Sequence, residues 1–349
     1  METFSSNLIK WHKVSGRKDL PWQIDKSPFK VWISEIMLQQ TQVKTAIPYF
    51  QNFIKRFPNI SSLAEGNQDD VLSLWSGLGY YARARNLHKT AIILKRDFNS
   101  LLPASLHQLM DLPGIGRSTA GAILSLGFNK KAPILDGNVK RVITRYKNID
   151  GDITKTKTLK CLWKIAEELQ PKKDFSIYNQ SIMDLGATIC KNKNPMCNQC
   201  PVSQYCLAKK NNSVHLLPYK AKKGLKRSKK VFWLLPYTLN GYVYLRKRGD
   251  FGLWGGLWTF IENQDLKGLI KEINLIHPGI NQELIRKHST ITHSFSHYKL
   301  EADLYLLELI QPKNSKNWKK IDELDNLGIP RPITKELIKI KENGKNSIL

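Results

Sequence analysis

The chain is short of acidic residues and has no long apolar runs. Its 349 residues include 29 Asp and Glu against 55 Lys and Arg, which gives a formal charge of +26. So large a positive excess favours a polyanionic partner, above all nucleic acid. No segment approaches the length that crosses a membrane, and the first residues lack the apolar stretch of a secretion signal. We therefore expect an intracellular protein, cytoplasmic and nucleoid-associated, with no membrane partner.

Cysteine is also scarce and unevenly placed. Four of the five cysteines fall within 190–206, which does not resemble a disulfide framework in a chain of this length. Six, two and five residues separate them, so only one pair has the C-x-x-C spacing of a zinc knuckle. A four-iron, four-sulfur cluster also takes four cysteines, and zinc remains the alternative. The fifth cysteine, Cys161, is expected to be a buried residue of a helix.

The hydrophobic periodicity changes along the chain. Residues 1–218 have the pattern of successive helices, and the segment 219–230, with seven basic and no acidic residues, is expected to be an exposed linker. After Val231 the pattern alternates, and an Asn240–Gly241 turn motif separates two strand-like runs. The sequence therefore predicts a mainly α region followed by an α+β domain over 231–349.

A glycine turn stands between two predicted helices near the middle of the chain. In DLPGIGRSTAGAIL, Gly114 and Gly116 can build a tight turn whose amide N–H groups point at an anion. The N-terminus of the following helix adds to the same site. The element can therefore hold one backbone phosphate of a nucleic acid without reading bases.

Two carboxylates are candidates for acid and base chemistry. Glu35 is the only acid in the apolar helix predicted for SPFKVWISEIMLQQTQV, where Ser27 is the N-cap and Pro28 the first helical residue. Apolar surroundings should raise its pKa, so that it holds a proton to donate. Asp136 is placed to cap the helix of DGNVKRVITRY, where capping amides and the helix dipole favour its ionised form. Two carboxyls whose pKa values are pushed apart suit cleavage of a glycosidic bond.

Together these motifs resemble the endonuclease III superfamily of DNA glycosylases. The cysteine spacing is similar to the iron–sulfur cluster loop of that superfamily, LPGIG to its helix-hairpin-helix element, and VWISEIMLQQTQV to the catalytic helix of MutY-type adenine DNA glycosylases. The resemblance implies a helix-hairpin-helix glycosylase fold, with a six-helix subdomain at about 25–130 and a cluster subdomain formed by the N-terminus and 131–210. It also implies one 4Fe-4S cluster, with ligands Cys190, Cys197, Cys200 and Cys206.

The resemblance implies a catalytic role for each carboxylate. Glu35 would protonate N7 of a flipped adenine, and Asp136, with Asn138 beside it, would stabilise the oxocarbenium-like sugar. Superfamily members that also cut the strand carry a lysine where Ser118 stands, and a serine cannot form a Schiff base. We therefore expect a monofunctional enzyme that leaves an abasic site.

Further residues are implied in finding and holding the base. Those that would enter the base stack are Leu38 and Gln40, both on the catalytic helix, and Tyr80 in GLGYYARARNL. Those that would line the adenine pocket are Trp22, Val43 and Gln180. Gln23 is left out of the predicted site, because family members commonly have arginine after this tryptophan.

The C-terminal domain resembles a Nudix domain without its enzymatic centre. GLWGGLWTFI is similar to the Nudix strand turn, but the R-E-x-x-E-E core of the metal helix is missing, so nucleotide hydrolysis is not expected. MutY-type proteins use this domain to read 8-oxoguanine, through a loop that matches Phe295, Ser296 and His297. The implied partner is double-stranded DNA with adenine opposite 8-oxoguanine or guanine, bound by a monomer.

Two other interpretations remain open. An endonuclease III-like glycosylase and lyase for oxidised pyrimidines shares the fold and the cluster, but Ser118 and the additional C-terminal domain oppose it. A non-catalytic DNA-binding or redox-sensing iron–sulfur protein would not need Glu35 and Asp136 in these sequence contexts.

Overall fold

The computed structural model divides the chain into two compact units. It describes residues 3–221, 224, 227–295, 298–310 and 315–346.

The first unit consists of the described residues of 1–65 and 86–223, and the second of 66–85 with those of 224–349. The helical region of the sequence is therefore interrupted, because the segment 66–85 packs with the C-terminal domain.

Thirteen helices occupy the described part of the N-terminal two thirds of the chain. They are α1 (Phe4–Ser15), α2 (Pro21–Ile24), α3 (Pro28–Leu38), α4 (Val43–Arg56), α5 (Ile60–Glu65), α6 (Gln68–Leu74), α7 (Ala82–Asp97), α8 (Leu106–Met110), α9 (Arg117–Ala122), α10 (Gly137–Tyr146), α11 (Thr156–Glu168), α12 (Phe175–Thr188) and α13 (Leu207–Lys210). A π-helical turn, Ile123–Gly127, continues α9, and short 3-10 turns, Cys197–Gln199 and Ser203–Tyr205, lie in the cysteine loop.

The predicted start of α3 is confirmed, but its end is not. The Ser27 hydroxyl accepts a hydrogen bond from the Lys30 amide at 3.2 Å, and Pro28 is the first helical residue. The helix ends at Leu38, and Gln40 has a φ of +59° in the turn before α4. Gln40 is therefore not on α3, the predicted catalytic helix, because that helix ends two residues earlier and a turn follows before α4 begins.

The core of the first unit holds α10 against α12. Leu8 of α1, Ile143 of α10 and Ile182 of α12 are almost completely buried in one cluster. The two helices approach so closely that a Cβ atom on Gly186 would come within 2.6 Å of the Cβ atom of Asn138. Only glycine permits this contact, which fixes the position of the predicted catalytic end of α10.

The second unit is built on a six-stranded sheet with the order β6-β7-β1-β2-β8, in which β5 also pairs with β1. Its strands are β1 (Arg227–Thr238), β2 (Tyr242–Tyr244), β5 (Ile261–Asn263), β6 (Ile285–Ser294), β7 (Tyr298–Leu309) and β8 (Trp318–Lys320), and β3 (Arg246–Lys247) pairs separately with β4 (Trp258–Thr259). β1 and β7 are parallel, and the other pairs are antiparallel. Helices α14 (Leu266–Ile276) and α15 (Arg331–Asn346) complete the α+β domain.

The predicted hairpin is confirmed, since β1 and β2 are antiparallel and Gly241 in their turn has a φ of +83°. Two smaller expectations are wrong. The basic segment is not a linker throughout, because β1 begins at Arg227 and pairs there with β7. Cys161 is exposed on α11, since it falls on the solvent side of that amphipathic helix. Among the described residues, no helix is both long and apolar enough to span a membrane.

The segment 66–85 is held in the second unit by hydrogen bonds to its backbone. The Arg85 guanidinium donates to the Gly255 carbonyl at 2.6 Å, and the Ser76 hydroxyl donates to the Ile329 carbonyl at 3.0 Å. Sequence periodicity could not predict this assignment, because both partners come from residues more than 150 positions away.

Candidate active site

One cavity of about 510 Å³ in the first unit collects most of the predicted site. Its walls come from α2, α3, α9, α10, α12, the turn that precedes α4 and the first residue of α4. The predicted residues in its lining are Trp22, Glu35, Leu38, Gln40, Val43, Ser118, Asp136, Asn138 and Gln180. Its volume lies within the range of small-molecule pockets, so it has room for a nucleobase.

Glu35 has the chemical character of an acid. It lies on α3 beside the buried residues Ser34 and Ile36, and one turn after Trp32, which is completely buried. Burial raises the pKa of Glu35 to about 8, and the nearby charge of Asp136 contributes to the rise. The direction agrees with the prediction, and at neutral pH the group holds a proton that it can donate.

Asp136 caps α10 as predicted, but its pKa does not move as predicted. Its carboxylate accepts hydrogen bonds from the Val139 amide at 2.8 Å and from Asn138 Nδ2 at 3.1 Å. Burial nevertheless raises the pKa of Asp136 above its ordinary value, more than these bonds lower it. The expectation that the ionised form is favoured overall is therefore wrong, because the loss of water on burial raises the pKa more than the capping hydrogen bonds lower it.

Asn138 is held from both sides. Its Nδ2 donates to Asp136, and its Oδ1 accepts from Arg141 Nη2 at 2.8 Å. Arg141 Nε in turn donates to the carbonyl of Cys190 at 2.7 Å. The amide orientation of Asn138 is thus determined by its neighbours, and it directs a donor at the carboxylate.

Ser118 lies in the cavity wall at the start of α9. Its Oγ accepts a hydrogen bond from the Leu135 amide at 3.1 Å, directly before Asp136 in the chain. A hydroxyl in this position supports the segment that carries the carboxylate and provides no amine.

Gln23 is a cavity residue that the sequence interpretation missed. It lines the same cavity, and in the described part of the chain both polar atoms of its side-chain amide are buried without a hydrogen-bond partner. Buried amides are nearly always paired, so this one is suited to a ligand or an ordered water. The available clue was its place directly after Trp22.

The glycine turn has the geometry that its sequence predicts. Gly114 has a φ of +79°, and Gly116 is the N-cap of α9. A Cβ atom on Gly114 would also come within 2.9 Å of Asn86 Cβ. The Thr90 hydroxyl donates to the Pro113 carbonyl at 2.8 Å and ties the turn to α7.

The four clustered cysteines line one small cavity of the first unit. The buried Arg145 lines it too, and its Nη1 contacts Cys190 Sγ at 3.4 Å. Burial, together with the neighbouring sulfur atoms, raises the pKa of Cys200 to about 12. Within the described residues, no three His, Cys, Asp or Glu side chains stand close enough to hold a single metal ion. Four sulfur donors around one space, with a buried cation beside them, fit an iron–sulfur cluster.

The remaining predicted residues belong to the second unit. Tyr80 has a φ of +50° in the turn between α6 and α7, is 46% exposed, and has the Arg83 guanidinium 5.5 Å from its ring centroid. Phe295 stacks on Tyr298 with ring centroids 4.8 Å apart and also packs on Trp254. Ser296 and His297 lie outside the described residues.

The chain is similar to known proteins over nearly its whole length. Residues 33–168 match the model of the HhH-GPD superfamily base excision DNA repair protein, and residues 232–339 match the NUDIX domain. An adenine DNA glycosylase of Buchnera aphidicola subsp. Schizaphis graminum is 44% identical over 96% of this chain and 97% of its own length. The adenine DNA glycosylase of Buchnera aphidicola subsp. Baizongia pistaciae is 42% identical over 97% of this chain and 97% of its own length. The chain belongs to the adenine DNA glycosylase family.

Family membership confirms the fold and the general activity. A solved structure of a thermostable thymine-DNA glycosylase is 27% identical, covers 60% of this chain and 95% of its own, and superposes with a TM-score of 0.54. The helix-hairpin-helix glycosylase region and the Nudix-like C-terminal domain are thus as predicted. This adenine DNA glycosylase family member is a base excision repair enzyme that binds DNA, and its superfamily is generally linked to a 4Fe-4S cluster.

Proposed function

We propose that the protein hydrolyses the N-glycosidic bond of adenine mispaired with 8-oxoguanine, or with guanine, in double-stranded DNA. The product is an abasic site in an uncut strand. The observation that carries the proposal is the cavity that Glu35, protonated at neutral pH, shares with Asp136 and Asn138.

The chemistry follows from the state of each group. Adenine is flipped from the duplex into the cavity, where Glu35 donates its proton to N7 and makes the base a neutral leaving group. The carboxylate of Asp136, whose charged form accepts the bonds from Asn138 and Val139, stabilises the positive charge that develops on the sugar. Water then adds to the sugar.

The cavity walls and the base stack have separate tasks. Trp22, Val43 and Gln180 hold the flipped adenine in the pocket. Three further side chains fill the gap in the duplex at the opposite base, and these are Leu38, Gln40 and Tyr80. Ser118 supplies no amine for a Schiff base, so the enzyme is monofunctional.

The glycine turn binds the DNA backbone. The amides of Gly114 and Gly116, with the N-terminus of the helix that follows, bind one phosphate. The 4Fe-4S cluster is held by the four clustered cysteines, and when bound it ties their loop together through iron–thiolate bonds.

The C-terminal domain, residues 231–349, recognises 8-oxoguanine through the loop of Phe295, Ser296 and His297. Packing of the Phe295 ring on Tyr298 and Trp254 supports an anchoring role for this residue at the base of the loop. We further propose that the enzyme works as a monomer at the nucleoid, in the cytoplasm, where its substrate lies.

The test is a single-turnover reaction on a labelled duplex with adenine opposite 8-oxoguanine, analysed with and without hot alkali, beside a duplex with thymine glycol. We expect breaks on the adenine strand that appear mainly after alkali. Alkali-independent cleavage at thymine glycol with adenine untouched would establish the lyase interpretation instead.

A further inference from the structure

Asp184 is a buried carboxylate outside the cavity lining that contacts Gln180, a residue of the cavity wall. Its side chain on α12 is fully buried. The carboxylate accepts hydrogen bonds from His12 Nε2 at 3.2 Å, from Arg17 Nη2 at 2.6 Å and from Gln180 Nε2 at 3.1 Å. Burial opposes its charge, but the bonds from His12 and the charge of Arg17 bring the pKa of Asp184 below its ordinary value. The group is therefore ionised and only accepts hydrogen bonds.

This carboxylate determines which way the amide of Gln180 points. Gln180 lines the cavity, and its Nε2 donates a hydrogen bond to Asp184 one helical turn away. The reverse orientation would set the amide oxygen against a carboxylate oxygen, which is repulsive. The end of the amide that is left for the cavity is consequently the acceptor, Oε1.

We propose that Asp184 is a positioning residue that sets the hydrogen-bonding polarity of the base pocket. By holding Gln180 with its carbonyl oxygen toward the bound base, it favours a purine whose exocyclic 6-substituent donates a hydrogen bond, the amino group of adenine. It opposes a purine with a carbonyl in that place, such as hypoxanthine. The inference rests on the proposed function, because it concerns the base that the cavity of Glu35 receives.

The decisive variant is Asp184→Ala in the full-length enzyme. Arg17 Nη2 and Gln180 Nε2 both donate to Oδ1 of Asp184, so removing the carboxylate leaves the guanidinium of Arg17 without its acceptor beside Gln180. Gln180 then turns its own oxygen toward Arg17 and offers Nε2, a donor, to the cavity. Single-turnover rates are measured on duplexes with adenine or hypoxanthine opposite 8-oxoguanine. We expect the ratio of the adenine rate to the hypoxanthine rate to fall about tenfold or more from its wild-type value.

Two further variants separate orientation from stability. His12→Gln disturbs the same buried cluster but leaves the contact between Asp184 and Gln180, so we expect the wild-type ratio even if the protein unfolds more easily. Gln180→Leu removes the amide and leaves the pair of Asp184 and Arg17, and it should lower the ratio to a value between those of wild type and Asp184→Ala. Because both substrates are measured on one preparation, the ratio does not depend on the fraction of active enzyme.

The outcomes distinguish this inference from the function it rests on. If the wild type excises adenine and the ratio is unchanged in Gln180→Leu, and in Asp184→Ala where that variant folds, Asp184 has no positioning role and the proposed function stands. If the wild type releases no adenine from either mispair, the proposed function fails, and the inference fails with it.

Discussion

Two carboxylates of the candidate active site in the first unit and a buried carboxylate of the second unit have pKa values shifted in opposite directions. In the first, burial raises the pKa of Glu35 to about 8, and it raises that of Asp136 as well. In the second, Asp303 is only 4% exposed, yet bonds from Lys287 at 2.8 Å and Thr290 at 2.6 Å lower its pKa to about 2.

The difference supports the chemistry proposed for the cavity of Glu35 and Asp136. A buried acid that is paired with cations stabilises the fold, whereas a buried acid with a raised pKa costs stability and is retained for chemistry. Glu262 follows the first pattern, since bonds from Arg248 and Trp233 outweigh its burial and lower its pKa. Asp184 in the first unit has the same paired pattern, and there it acts on a neighbour of the cavity.

The largest expected effect comes from Glu35→Gln. Without the proton donor, we expect single-turnover excision of adenine to fall by about 10³-fold or more, while DNA affinity is kept. A carboxyl whose pKa is higher in the folded chain than in the unfolded chain destabilises the fold increasingly as the pH rises above its pKa in the unfolded chain. The variant should therefore be more stable at pH 7, by about 2 kcal/mol in the free energy of unfolding. Urea unfolding and the excision assay test both parts.

A non-catalytic DNA-binding protein would give a different result. It would excise no adenine with or without Glu35→Gln, and the substitution would leave its DNA affinity unchanged. Reduced stability in the variant would contradict the destabilising effect expected from the raised pKa of Glu35.

The second prediction concerns the pH dependence of excision. Because the proposed chemistry requires protonated Glu35, the rate at subsaturating enzyme should fall about tenfold for each unit above pH 8. On the acid side the rate falls as Asp136 becomes protonated, and this begins above the ordinary range of an aspartate because its pKa is raised. Single-turnover profiles of the wild type measure both limbs, and a rate that is level through pH 9 would exclude Glu35 as the acid.

The third prediction extends the comparison to the four clustered cysteines of the first unit, the proposed cluster ligands. Cys200→Ser should lower soluble yield and bound iron, and it should weaken DNA binding by about tenfold, because the loop loses one of four bonds to the cluster. The matched control is Cys161→Ser on the exposed face of α11, which should change neither iron content nor affinity. Unchanged affinity in a Cys200→Ser protein without iron would show that the loop holds its shape unaided.

The smallest effect is expected from Asp303→Asn in the second unit. The pKa of Asp303 is lower in the folded chain than in the unfolded chain. Its contribution to the free energy of unfolding is therefore complete above its pKa in the unfolded chain and is lost as the pH falls through about 2. We expect the variant to be less stable by about 1 kcal/mol at pH 7, with the difference closing between pH 4 and pH 2, and adenine excision unchanged.

Unfolding of the wild type and the variant over this pH range measures the difference, and Glu283→Gln, at an exposed carboxylate, serves as the control. A stability difference that persists at pH 2 would mean that the substitution acts through packing and not through charge.

Much of the site was predictable where the chemistry is local. The N-cap at Ser27, the cap at Asp136 and the turn at Gly114 each depend on a few consecutive residues, and the structure has all three. Gln40 was misplaced because the end of α3 depends on where the chain turns to reach α4, which no cap or proline marks.

The sequence by itself determined the family, the capped helices, the cysteine spacing and the hairpin, because spacing and capping involve neighbours along the chain. Only the tertiary structure decided that Glu35 and Asp136 share one cavity, that Gln23 lines it, and that Asp184 lies behind Gln180. It also decided that the pKa of Asp136 rises despite its cap. Desolvation and pairing depend on side chains brought from distant positions, and these interactions exist only in the folded chain.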